Sequence, residues 1–532
     1  MNPSNNARIC VPVCATNARE LIDSIMRGVP LADIIELRLD CLDAAQLEAA
    51  TPEILNAMKS CPRPFIITLR PAEQGGKRAL DLGMRLSFRA GDSSLHQQAC
   101  SSENFADIEL DLAVRLMKRE EASGGDRSND VTLDWTHVIC SHHDFTGVPS
   151  DLEEIYERMS QTPARILKIA VRADEVTDCI PVFGLLDRAQ RDGREMIAIA
   201  MGEAGIMTRV LAPARGAFLT YGSIDEKGAT APGQVSAADL RDLYRIDSIN
   251  EETKITGLVG TPTAHSVSPH MHNAAFAACG VNGVYLPFEV RDVGEFMRRM
   301  VHPRSREFEW NLCGLSVTAP HKRAAMKYLD WIDPIAEKIG AVNTILVKDG
   351  TLHGYNTDAA ASLAPLEGVV DLSGANVAVI GAGGAARAVL WRLREVHARA
   401  TVFARDVARA AKTASDFNAR CESLDGARFA NFFAKFDVVI NTTPLGTDGQ
   451  SVNETPATAQ ELRGARIAYD LVYNPPTTRF MREAHEAGCQ VFGGLPMLVA
   501  QAAAQFKLWT NCDAPLNVMH TAAESQMLDA GC

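Results

Sequence analysis

Short apolar runs of strand length alternate with longer amphipathic stretches along the first 246 residues. Eight runs rich in β-branched residues occupy positions 9–15, 33–40, 64–70, 105–111, 136–144, 165–171, 196–202 and 216–224. The stretches between them, such as "DLEEIYERMSQ", predict amphipathic helices. Near-continuous apolar strands that alternate with helices indicate a parallel sheet buried on both faces. Eight such units favour a (β/α)8 barrel, with an open doubly wound sheet as the alternative.

The alternation restarts after a short polar joint at 246–253. Apolar runs at 253–260, 284–290 and 313–320 predict further strands, and "AVNTILVKDGTLHGYNTD" predicts a hairpin whose turn is "KDG". A second α/β unit opens from about residue 374 with "NVAVIGAGGAARAVLWRL". The final "MLVAQAAAQFKLW" predicts a helix long enough to pack back on an earlier domain. The expected fold class is α/β, a barrel followed by a two-lobed α/β unit.

The length, composition and charge of the chain indicate a multidomain globular protein and argue against some classes of partner. The chain has 532 residues, more than one hydrophobic core organises, so two or three domains are expected. Hydrophobic residues make up 46% and charged residues 22%, which is typical of soluble globular proteins. The net charge of -13 argues against a nucleic-acid partner. Because no apolar run approaches the roughly 20 residues of a bilayer span, no membrane partner is expected.

The 13 cysteines are scattered and include no CxxC pair. This pattern differs from that of a disulfide scaffold or a zinc ribbon, and it predicts buried, reduced thiols. No second His/Asp pair follows the adjacent histidines His142 and His143 at ligand spacing, so no metal is expected.

Polar residues cluster near the carboxyl ends of the predicted barrel strands, which form the active-site face of such a fold. They are Glu36, Arg38, Arg70, Glu109, His142, His143, Lys168 and Arg209. Strand alternation places Glu36 and Arg38 on one face. Several arginines around one cavity imply an anionic substrate, most simply a carboxylate held by bidentate hydrogen bonds.

Lys168 lies within the apolar strand "RILKIAV", where an ammonium is costly to desolvate. A lysine there is expected to be pushed toward the neutral, nucleophilic amine that forms a Schiff base with a ketone, although a structural ion pair is the alternative. A histidine one strand earlier could then move protons at the carbon next to the imine. Alternation shows only that His142 and His143 face opposite ways and does not choose the inward one.

The segment "VIGAGGAAR" follows an apolar strand and opens a helix, as a dinucleotide-binding loop does. Gly381, Gly383 and Ala386 match the fingerprint positions, which bring a pyrophosphate to the helix N-terminus. The next strand ends in Arg405, where an NAD enzyme has an acidic residue, so NADP is favoured. Arg409 could add positive charge one turn into the following helix, whereas a solvated surface role is the alternative for Arg405.

Upstream of that loop, "HSVSP", "LSVTAPHK", "GAVNT" and "GYNTD" gather small hydroxyl and amide groups around one lysine and one aspartate. Such a set is typical of a polyol site, in which neutral hydrogen bonds distinguish one sugar-like acid from another. Lys322 with Asp358 could deliver a proton as hydride reaches a carbonyl. A purely structural ion pair is the alternative.

The first half resembles type I 3-dehydroquinate dehydratase over nearly all of residues 8–245. The resemblance rests on "ELRLD", "PFIITLR", "DIEL", "SHHDF", "LKIAV", "MGEAGIMTR" and "TAPGQ", in that order. It implies that Lys168 forms an imine with the C3 ketone and that His143 is the general acid/base. It assigns substrate binding to Glu36, Arg38, Arg70, Arg209, Thr230 and Gln234.

Two positions depart from this family. Members usually have Glu before the "GG" that follows the strand-three arginine, whereas this chain has Gln74 there and Glu73 one residue earlier. Because that glutamate is thought to orient the histidine, either Glu73 substitutes for it or turnover is slower. Thr230 replaces a common serine and keeps the hydroxyl.

Residues 254–520 resemble shikimate dehydrogenase, through the motifs above together with "INTTPLG", "DLVYNPPTT" and "GGLPMLVAQAA". The resemblance implies NADP(H) and a catalytic acid/base pair of Lys322 and Asp358. It assigns the substrate carboxylate to Ser266 and Ser268, and its hydroxyls to Thr318, Asn343, Asp358 and Gln501. It places Tyr473 and Gly494 near the nicotinamide, and the cofactor loop at Gly381, Gly383, Gly384 and Ala386. Ser316 stands where bacterial single-domain members usually have Asn, as in plant-type fused enzymes.

The combined hypothesis is a bifunctional enzyme that dehydrates 3-dehydroquinate and then reduces the product to shikimate. Its expected domains are 1–246, 254–362 completed by a C-terminal helix at about 496–525, and 363–495. A quinate-preferring NAD dehydrogenase, a metabolite-sensing regulator and a Schiff-base aldolase fused to a reductase are the alternatives. With the first strand about nine residues in, no signal peptide is expected, so the location is cytoplasmic, or plastid if a transit peptide has been removed. The oligomeric state stays open.

Overall fold

The computed structural model describes residues 7–90, 103–122, 133–225, 228, 230–264, 266–425, 429–449 and 451–529. The chain forms two compact units. The first comprises Met1–Thr253, Leu286–Arg291 and Glu307–Asn311, and the second comprises Lys254–Tyr285, Asp292–Arg306 and Leu312–Cys532. The segments 286–291 and 307–311, expected in the domain at 254–362, therefore belong to the first unit. Aromatic packing accounts for the second of them, because Phe308 stacks on Phe183 with ring centroids 4.6 Å apart.

The first unit contains an eight-stranded sheet in the order β7-β6-β5-β4-β3-β2-β1-β8, as the apolar runs predict. Its strands are β1 Ile9–Val13, β2 Ile34–Arg38, β3 Phe65–Thr68, β4 Phe105–Glu109, β5 Val138–Asp144, β6 Ile166–Arg172, β7 Glu195–Met201 and β8 Thr220–Tyr221. The paired strands are parallel. The Phe218 amide, just before β8, donates to the Met196 carbonyl of β7 at 2.8 Å. This bond brings the two ends of the sheet together into a nearly closed barrel.

Helices follow the barrel strands, with three of them begun by side-chain caps from Asn17, Asp43 and Ser236. The α-helices of this unit are Ala18–Gly28, Ala44–Ser60, Leu82–Ala90, Leu110–Ala122, Leu152–Ser160, Cys179–Arg191, Ile206–Leu211 and Ala237–Asp242.

The interior of the barrel has an apolar half and a polar half along the strand direction. Near the amino ends of five strands, isoleucines pack together, namely Ile34, Ile66, Ile139, Ile166 and Ile197. Because strand side chains alternate, residues two positions further on share the same face. In β2 and β6 these residues are Glu36 and Lys168. The polar groups therefore lie on the carboxyl side of an apolar layer, at the end where barrels of this type carry their active sites.

Cys14 and Cys41 form a disulfide, so the expectation of reduced thiols is wrong for this pair. Cys14 follows β1 and Cys41 ends the 3₁₀ helix Leu39–Cys41 that follows β2. The two strands are adjacent and parallel, which brings the residues beyond their carboxyl ends together. The sequence separation of 27 residues concealed this proximity.

The first sheet after the joint has the order β10-β9-β11-β13-β14-β12. Its strands are β9 Lys254–Gly260, β10 Gly283–Glu289, β11 Leu312–Val317, β12 Trp331–Ile332, β13 Thr344–Lys348 and β14 Thr351–Tyr355. The predicted hairpin is present, since β13 and β14 pair antiparallel around Asp349 and Gly350. Both turn residues have positive φ, of 49° and 74°, as a type I′ turn requires.

The last sheet is parallel and has the order β17-β16-β15-β18-β19-β20. Its strands are β15 Asn376–Ile380, β16 Arg399–Ala404, β17 Arg420–Ser423, β18 Val438–Asn441, β19 Ile467–Asp470 and β20 Gln490–Phe492. This is the strand order of a doubly wound dinucleotide fold, with the order reversing beside β15. Ligands of such sheets bind in the crevice at the carboxyl ends of the strands at that point.

The α-helices after residue 253 are Ser268–Ala278, Val293–Phe296, Pro334–Ile339, Thr357–Ala361, Gly384–Glu395, Val407–Asp416, Ala459–Leu462, Arg479–Glu486, Leu495–Thr510 and Leu516–Asp529. Phe506 and Trp509 of the helix Leu495–Thr510 pack against Leu258 and Met271, so the predicted return of this helix to an earlier sheet is confirmed. The prediction of one continuous helix over about 496–525 is wrong, because two helices occupy this range. Asn511 adopts φ 60° and ends the first helix, and the second helix starts at Leu516.

Within the described ranges, no helix is long and apolar enough to cross a bilayer.

Candidate active sites

A cavity opens at the carboxyl ends of the barrel strands, and it collects the eight barrel residues that the family resemblance assigned to substrate or chemistry. Those lining it are Glu36, Arg38, Arg70, His143, Lys168, Arg209, Thr230 and Gln234. Glu109 and His142, also named from the strand ends, are not among its lining residues. Gln74, Phe145 and Tyr221 also line it. Because these residues come from separate strands and loops, only the closure of the barrel brings them together.

The Lys168 amine is buried and has three hydrogen-bond partners. Its Nζ lies 2.9 Å from Asp107 Oδ2, 3.4 Å from Glu36 Oε1 and 2.7 Å from the Tyr221 hydroxyl. An ammonium has three N–H donors, so this set satisfies all of them. The sequence predicted a neutral, nucleophilic amine with a structural ion pair as the alternative, and the contacts with Asp107 and Glu36 form that ion pair. The amine is therefore held as an ion pair at rest and must pass protons to a neighbour before it attacks a carbonyl.

Asp107 is the buried acid that Lys168 and Arg70 share, and sequence reasoning missed it. Its carboxylate accepts from Lys168, from Arg70 Nη2 at 2.7 Å and from Ser141 Oγ at 2.5 Å. Burial opposes its ionisation, but the cations Arg70 and Lys168 prevail and hold the pKa of Asp107 well below its ordinary value. Its alternation with Glu109 in β4 repeats that of Glu36 and Arg38 in β2, and this was the available signal.

Of the two adjacent histidines, His143 lines the cavity, whereas His142 is not among the lining residues. Burial lowers the pKa of His143 well below its ordinary value, and the nearby Arg70 and Lys168 add to the effect. A neutral imidazole can accept a proton, as a general base must. In the described part of the chain, the buried Nδ1 atom of His143 has no hydrogen-bond partner.

The loop after β3 shows which of Glu73 and Gln74 reaches the histidine. Gln74 Oε1 accepts from the backbone N–H of His143 at 3.2 Å, and Gln74 lines the cavity. Glu73 is exposed and is not among the lining residues. The amide therefore supports the backbone of His143. Of the two possibilities that the sequence left open, Glu73 does not take this place, and slower turnover stays a prediction.

The arginines that line the cavity differ in their hydrogen-bond partners. Arg38 donates two bonds of 2.9 Å to Asp40, and Arg70 is bound by Asp107, Glu109 and Ser141. Arg209 is buried, and among the described residues no carboxylate pairs with it. It donates only weak bonds, of 3.3 and 3.4 Å, to the carbonyls of Tyr221 and Pro232.

Burial lowers the pKa of Arg209 to about 10, which leaves the guanidinium charged at neutral pH. A buried charge without a paired carboxylate is costly, and an anionic ligand would offset that cost. Thr230 and Gln234, on the neighbouring loop, bond to each other through the Thr230 amide and Gln234 Oε1 at 2.8 Å.

The second unit holds a chain of polar contacts around Lys322. Lys322 Nζ lies 2.5 Å from Asp358 Oδ2, and Asn343 Nδ2 donates to Asp358 Oδ1 at 2.8 Å. Asn343 Nδ2 also lies 3.4 Å from Gln501 Oε1. Asn343 immediately precedes β13, and Asp358 lies in the first turn of the helix Thr357–Ala361. Four residues nominated from separate motifs therefore form one network.

The hydroxyl groups predicted for this site are positioned by neighbouring backbone. The Ser268 amide donates to Ser266 Oγ at 3.2 Å at the start of the helix Ser268–Ala278. Burial raises the pKa of Tyr473, and a hydrogen bond with Ser266 opposes that rise, so these two groups are neighbours. Thr318 follows β11, and its Cγ2 would lie 2.3 Å from a Cβ atom added at Gly260. Glycine at 260 therefore permits the close approach of Thr318.

The residues of the dinucleotide loop fit a pyrophosphate. Gly381 has φ 114°, and a Cβ atom added at Gly383 would meet nothing within 4 Å, so the face of the loop is open. The helix Gly384–Glu395 begins at once, and its Ala386 is buried against β15. A Cβ atom at Gly384 would lie 3.4 Å from Lys322 Cδ, which places the loop beside the Lys322 network.

The remaining nominated cofactor residues lie at other strand ends. Arg405 and Arg409 are exposed just beyond β16. The acid between them, Asp406, accepts from the Arg409 amide at 3.0 Å as a helix cap. Gly494 precedes the helix Leu495–Thr510, where an added Cβ atom would lie 2.2 Å from the Leu471 carbonyl.

Sequence reasoning missed two buried groups that support this second network. Thr357 accepts from Asn343 Nδ2 at 2.8 Å, and Gln505 donates to the Asn343 carbonyl at 3.2 Å. Ser316, noted only as a replacement for Asn, donates to Gln505 Oε1 at 2.8 Å. Gln505 is four residues after Gln501 on one helix, and that helical spacing was the available signal.

Models of known protein families match both halves of the chain. Residues 9–251 match the model of type I 3-dehydroquinase. Residues 258–345 match the shikimate dehydrogenase substrate binding domain, 363–453 match shikimate / quinate 5-dehydrogenase, and 494–524 match the shikimate 5'-dehydrogenase C-terminal domain.

Individual relatives agree with these matches. The chloroplastic bifunctional 3-dehydroquinate dehydratase/shikimate dehydrogenase of Arabidopsis thaliana is 34% identical over 96% of this chain and 83% of its own. The NADP(+) shikimate dehydrogenase of Methanococcus aeolicus is 37% identical over 52% of this chain and 98% of its own. A crystal structure of shikimate 5-dehydrogenase from Thermus thermophilus with NADP(H) and shikimate is 36% identical, covers 52% of this chain and all of its own, and has a TM-score of 0.46.

The barrel with its buried lysine, followed by a unit that has the Lys322 network beside a glycine-rich loop, matches a fused dehydratase and reductase. The chain belongs to the family of bifunctional 3-dehydroquinate dehydratase/shikimate dehydrogenases. It is an enzyme of the shikimate pathway that combines a lyase with an NADP-dependent oxidoreductase.

Proposed function

We propose that the barrel dehydrates 3-dehydroquinate through an imine between Lys168 and the C3 ketone, and that the second unit reduces the product to shikimate with NADPH. The barrel proposal is carried by one observation, a buried lysine and a buried arginine without a paired carboxylate in the same cavity. Arg209 supplies the charge for the substrate carboxylate, and Lys168 supplies the nucleophile. The other cavity residues bind the hydroxyl groups of the substrate.

His143 moves the proton in the elimination. Once the imine has formed, its positive nitrogen withdraws electrons and acidifies the neighbouring C2 hydrogen. The neutral His143 imidazole takes that hydrogen as a proton and then delivers it to the C1 hydroxyl, which leaves as water. The C2–H electron pair becomes the new double bond as the C1–O bond breaks, so atoms and electrons balance. Burial among cations keeps His143 neutral and ready to accept the proton.

In the second unit, Lys322 delivers the proton that accompanies reduction. NADPH, when bound, supplies a hydride to the ketone carbon, and the oxygen must gain a proton at the same time. Lys322 is held by Asp358 and lies beside the loop at Gly384, which supports this role. Asn343 and Gln501 bind the ring hydroxyls, and Ser266 and Ser268 bind the carboxylate. Arg405 and Arg409 bind the 2'-phosphate.

The imine is tested by borohydride reduction in the presence of 3-dehydroquinate. We expect a mass gain on the peptide that contains Lys168, because reduction converts the imine into a stable amine. Lys168→Met should abolish the gain, whereas the matched control Lys59→Met, at an exposed position, should retain it. Ligand fixed to another residue, or labelling that survives in Lys168→Met, would refute the proposal.

The reductase role is tested by Lys322→Met, with the exposed Lys327→Met as the matched control. Loss of a general acid should lower kcat for 3-dehydroshikimate reduction by roughly 100-fold or more. NADPH affinity, measured by fluorescence titration, should change little because the cofactor phosphates bind elsewhere. An unchanged kcat in Lys322→Met would reject the assignment. Shikimate and quinate assayed in parallel with both cofactors would identify a quinate-preferring enzyme.

A further inference from the structure

The hydroxyl of Tyr221 is the third group on the Lys168 amine, and no motif of the sequence drew attention to it. The Tyr221 oxygen lies 2.7 Å from Lys168 Nζ, closer than either carboxylate. Tyr221 is on β8, the strand that follows β7 and pairs with β1 in the barrel. Its side chain lines the cavity together with Lys168. The phenol therefore reaches the nitrogen from the side of the barrel opposite to Asp107 on β4.

We propose that Tyr221 is a catalytic residue that carries protons between the Lys168 nitrogen and the substrate oxygen while the imine forms and breaks. The inference deepens the proposed function, since it rests on the imine at Lys168. It assigns to Tyr221 a step that His143 does not perform in the elimination.

The chemistry of the three partners singles out the phenol. An ionised carboxylate can return a proton only after it has taken one up. Asp107 resists that uptake, because Arg70 and Lys168 hold the pKa of this carboxyl well below its ordinary value. Glu36 lies 3.4 Å from the nitrogen, the farthest of the three partners. A phenol both accepts and donates. Tyr221 can therefore give its own hydrogen to an oxygen atom next to the nitrogen as it takes a proton from the ammonium, so the phenol oxygen never carries two hydrogens. At the carbinolamine stage, the former ketone oxygen is bonded to the carbon that carries the nitrogen.

The proton balance of imine formation needs such a carrier. The ammonium carries three hydrogens on nitrogen and the protonated imine carries one, so two protons must leave the nitrogen. The nitrogen lone pair forms the C–N bond, and the ketone oxygen takes the first proton to give the carbinolamine. The second proton reaches that hydroxyl as the C–O bond breaks, and the oxygen leaves as water. Each proton passes through the Tyr221 oxygen, which ends the cycle as a phenol.

The surroundings of Tyr221 preserve the phenol form between transfers. Burial raises the pKa of Tyr221 well above its ordinary value of 10, and the negative charge of Glu36 adds to the effect. Tyr221 is only 6% exposed, so bulk water has little access to its side chain. The phenol can therefore supply a proton at a site that bulk water hardly reaches.

The test uses the full-length enzyme and the variant Tyr221→Phe, which removes one oxygen atom and keeps the ring. The matched control is Tyr244→Phe, because Tyr244 is equally buried in the same unit and does not line the cavity. Rapid mixing with 3-dehydroquinate followed by borohydride quench gives the rate constant for covalent trapping. We expect this rate constant to fall on the order of 100-fold in Tyr221→Phe, as for loss of a general acid–base group. In Tyr244→Phe it should remain that of the wild type.

A second measurement separates proton transfer from a structural effect. With substrate deuterated at C2, the wild type should show a primary isotope effect on kcat if elimination limits turnover. In Tyr221→Phe imine formation becomes the slow step, so the isotope effect should fall toward one. A merely structural loss that displaced His143 would leave the isotope effect intact or enlarge it.

These measurements separate a failure of the Tyr221 proposal from a failure of the imine proposal at Lys168. If the wild type traps no ligand on Lys168, the imine itself is wrong. If the wild type traps normally and Tyr221→Phe traps at the same rate, the imine stands and the role of Tyr221 is overturned. A slow Tyr221→Phe that keeps the full isotope effect also overturns it.

Discussion

Replacing Asp107 by asparagine should destabilise the barrel more than any isosteric change elsewhere in the cavity. The side chain keeps its shape, but the carboxylate between Arg70 and Lys168 becomes neutral. Both cations stay buried, with 2% and 4% of their side chains exposed. A buried charge that loses its partner is strongly destabilising because it can no longer recover its desolvation cost.

The magnitude follows from the two contacts. At distances of 2.7 and 2.9 Å, and with an effective dielectric constant near 20, the lost attraction sums to about 12 kcal/mol. Removing the charge also removes the desolvation cost of the carboxylate and its repulsion with Glu109 and Glu36, which is several kcal/mol. Glu109 still binds Arg70 at 3.3 Å, so part of the pairing survives. The net loss should be about 4 kcal/mol, in the range found for broken buried ion pairs.

Hydrogen exchange measured by mass spectrometry on the full-length enzyme is the appropriate assay. The peptide that contains β4 reports opening of the first unit, and peptides of β15 and β18 provide an internal reference in the second unit. Ser141→Ala is the matched control, because it removes a neutral hydroxyl that donates to Asp107 at 2.5 Å and accepts from Arg70 at 2.7 Å, and it leaves every charge in place. It should cost about 1 kcal/mol.

A difference below about 1 kcal/mol between Asp107→Asn and the wild type in the free energy of opening of the first unit would refute the reasoning. It would mean that the two cations are solvated, or that Glu109 and Glu36 alone satisfy them. Equal losses in Asp107→Asn and Ser141→Ala would show that charge contributes nothing beyond the hydrogen bond.

Three further changes have defined expected outcomes. Arg405→Asp should lower the NADPH-to-NADH ratio of kcat/KM by at least about 10-fold and by more than Arg409→Asp, because it repels the 2'-phosphate; an unchanged ratio would contradict the assignment. Replacing both Cys14 and Cys41 by serine should cost the first unit about 3.5 kcal/mol, from a separation of 27 residues, and full stability in the double variant would exclude the crosslink. Burial lowers the pKa of His272 to about 3, so the unfolded chain binds this proton first and stability falls as pH drops from about 6.5 toward 3. Near pH 5 the unfolding free energy should be about 2 kcal/mol lower than at neutral pH. Urea titrations at neutral pH and at pH 5 should show a correspondingly smaller decrease for His272→Gln.

The sequence sufficed for the elements and for most of both sites, for reasons that particular residues show. The eight strands were detectable because each contains a near-continuous apolar run, as is typical of a parallel strand buried on both faces. Lys168 stood out because a charged residue inside an apolar strand is costly and so needs a function or a partner. Gly381 and Gly383 stood out because their spacing has a backbone reason.

Other features depended on neighbours that are distant along the chain. Asp107 bonds Arg70 and Lys168, which lie 37 and 61 positions away. Tyr221 meets Lys168 across 53 positions. Glu73 and Gln74 are adjacent, and only the path of the loop decided that Gln74 meets His143. Nothing in the local pattern of any of these residues contains that information.

The sequence by itself therefore determined the type and order of the elements and the family, and it nominated Lys168 as the candidate nucleophile. Hydrophobic periodicity and motif spacing are local properties, and they survive without knowledge of which strands are neighbours. The family resemblance pointed to His143, and the tertiary structure shows that His143 rather than His142 lines the cavity. The tertiary structure alone decided that the Lys168 ammonium is paired and that Cys14 meets Cys41. Alternation fixes that successive side chains point in opposite directions, but the inward direction exists only once the sheet has curved and closed.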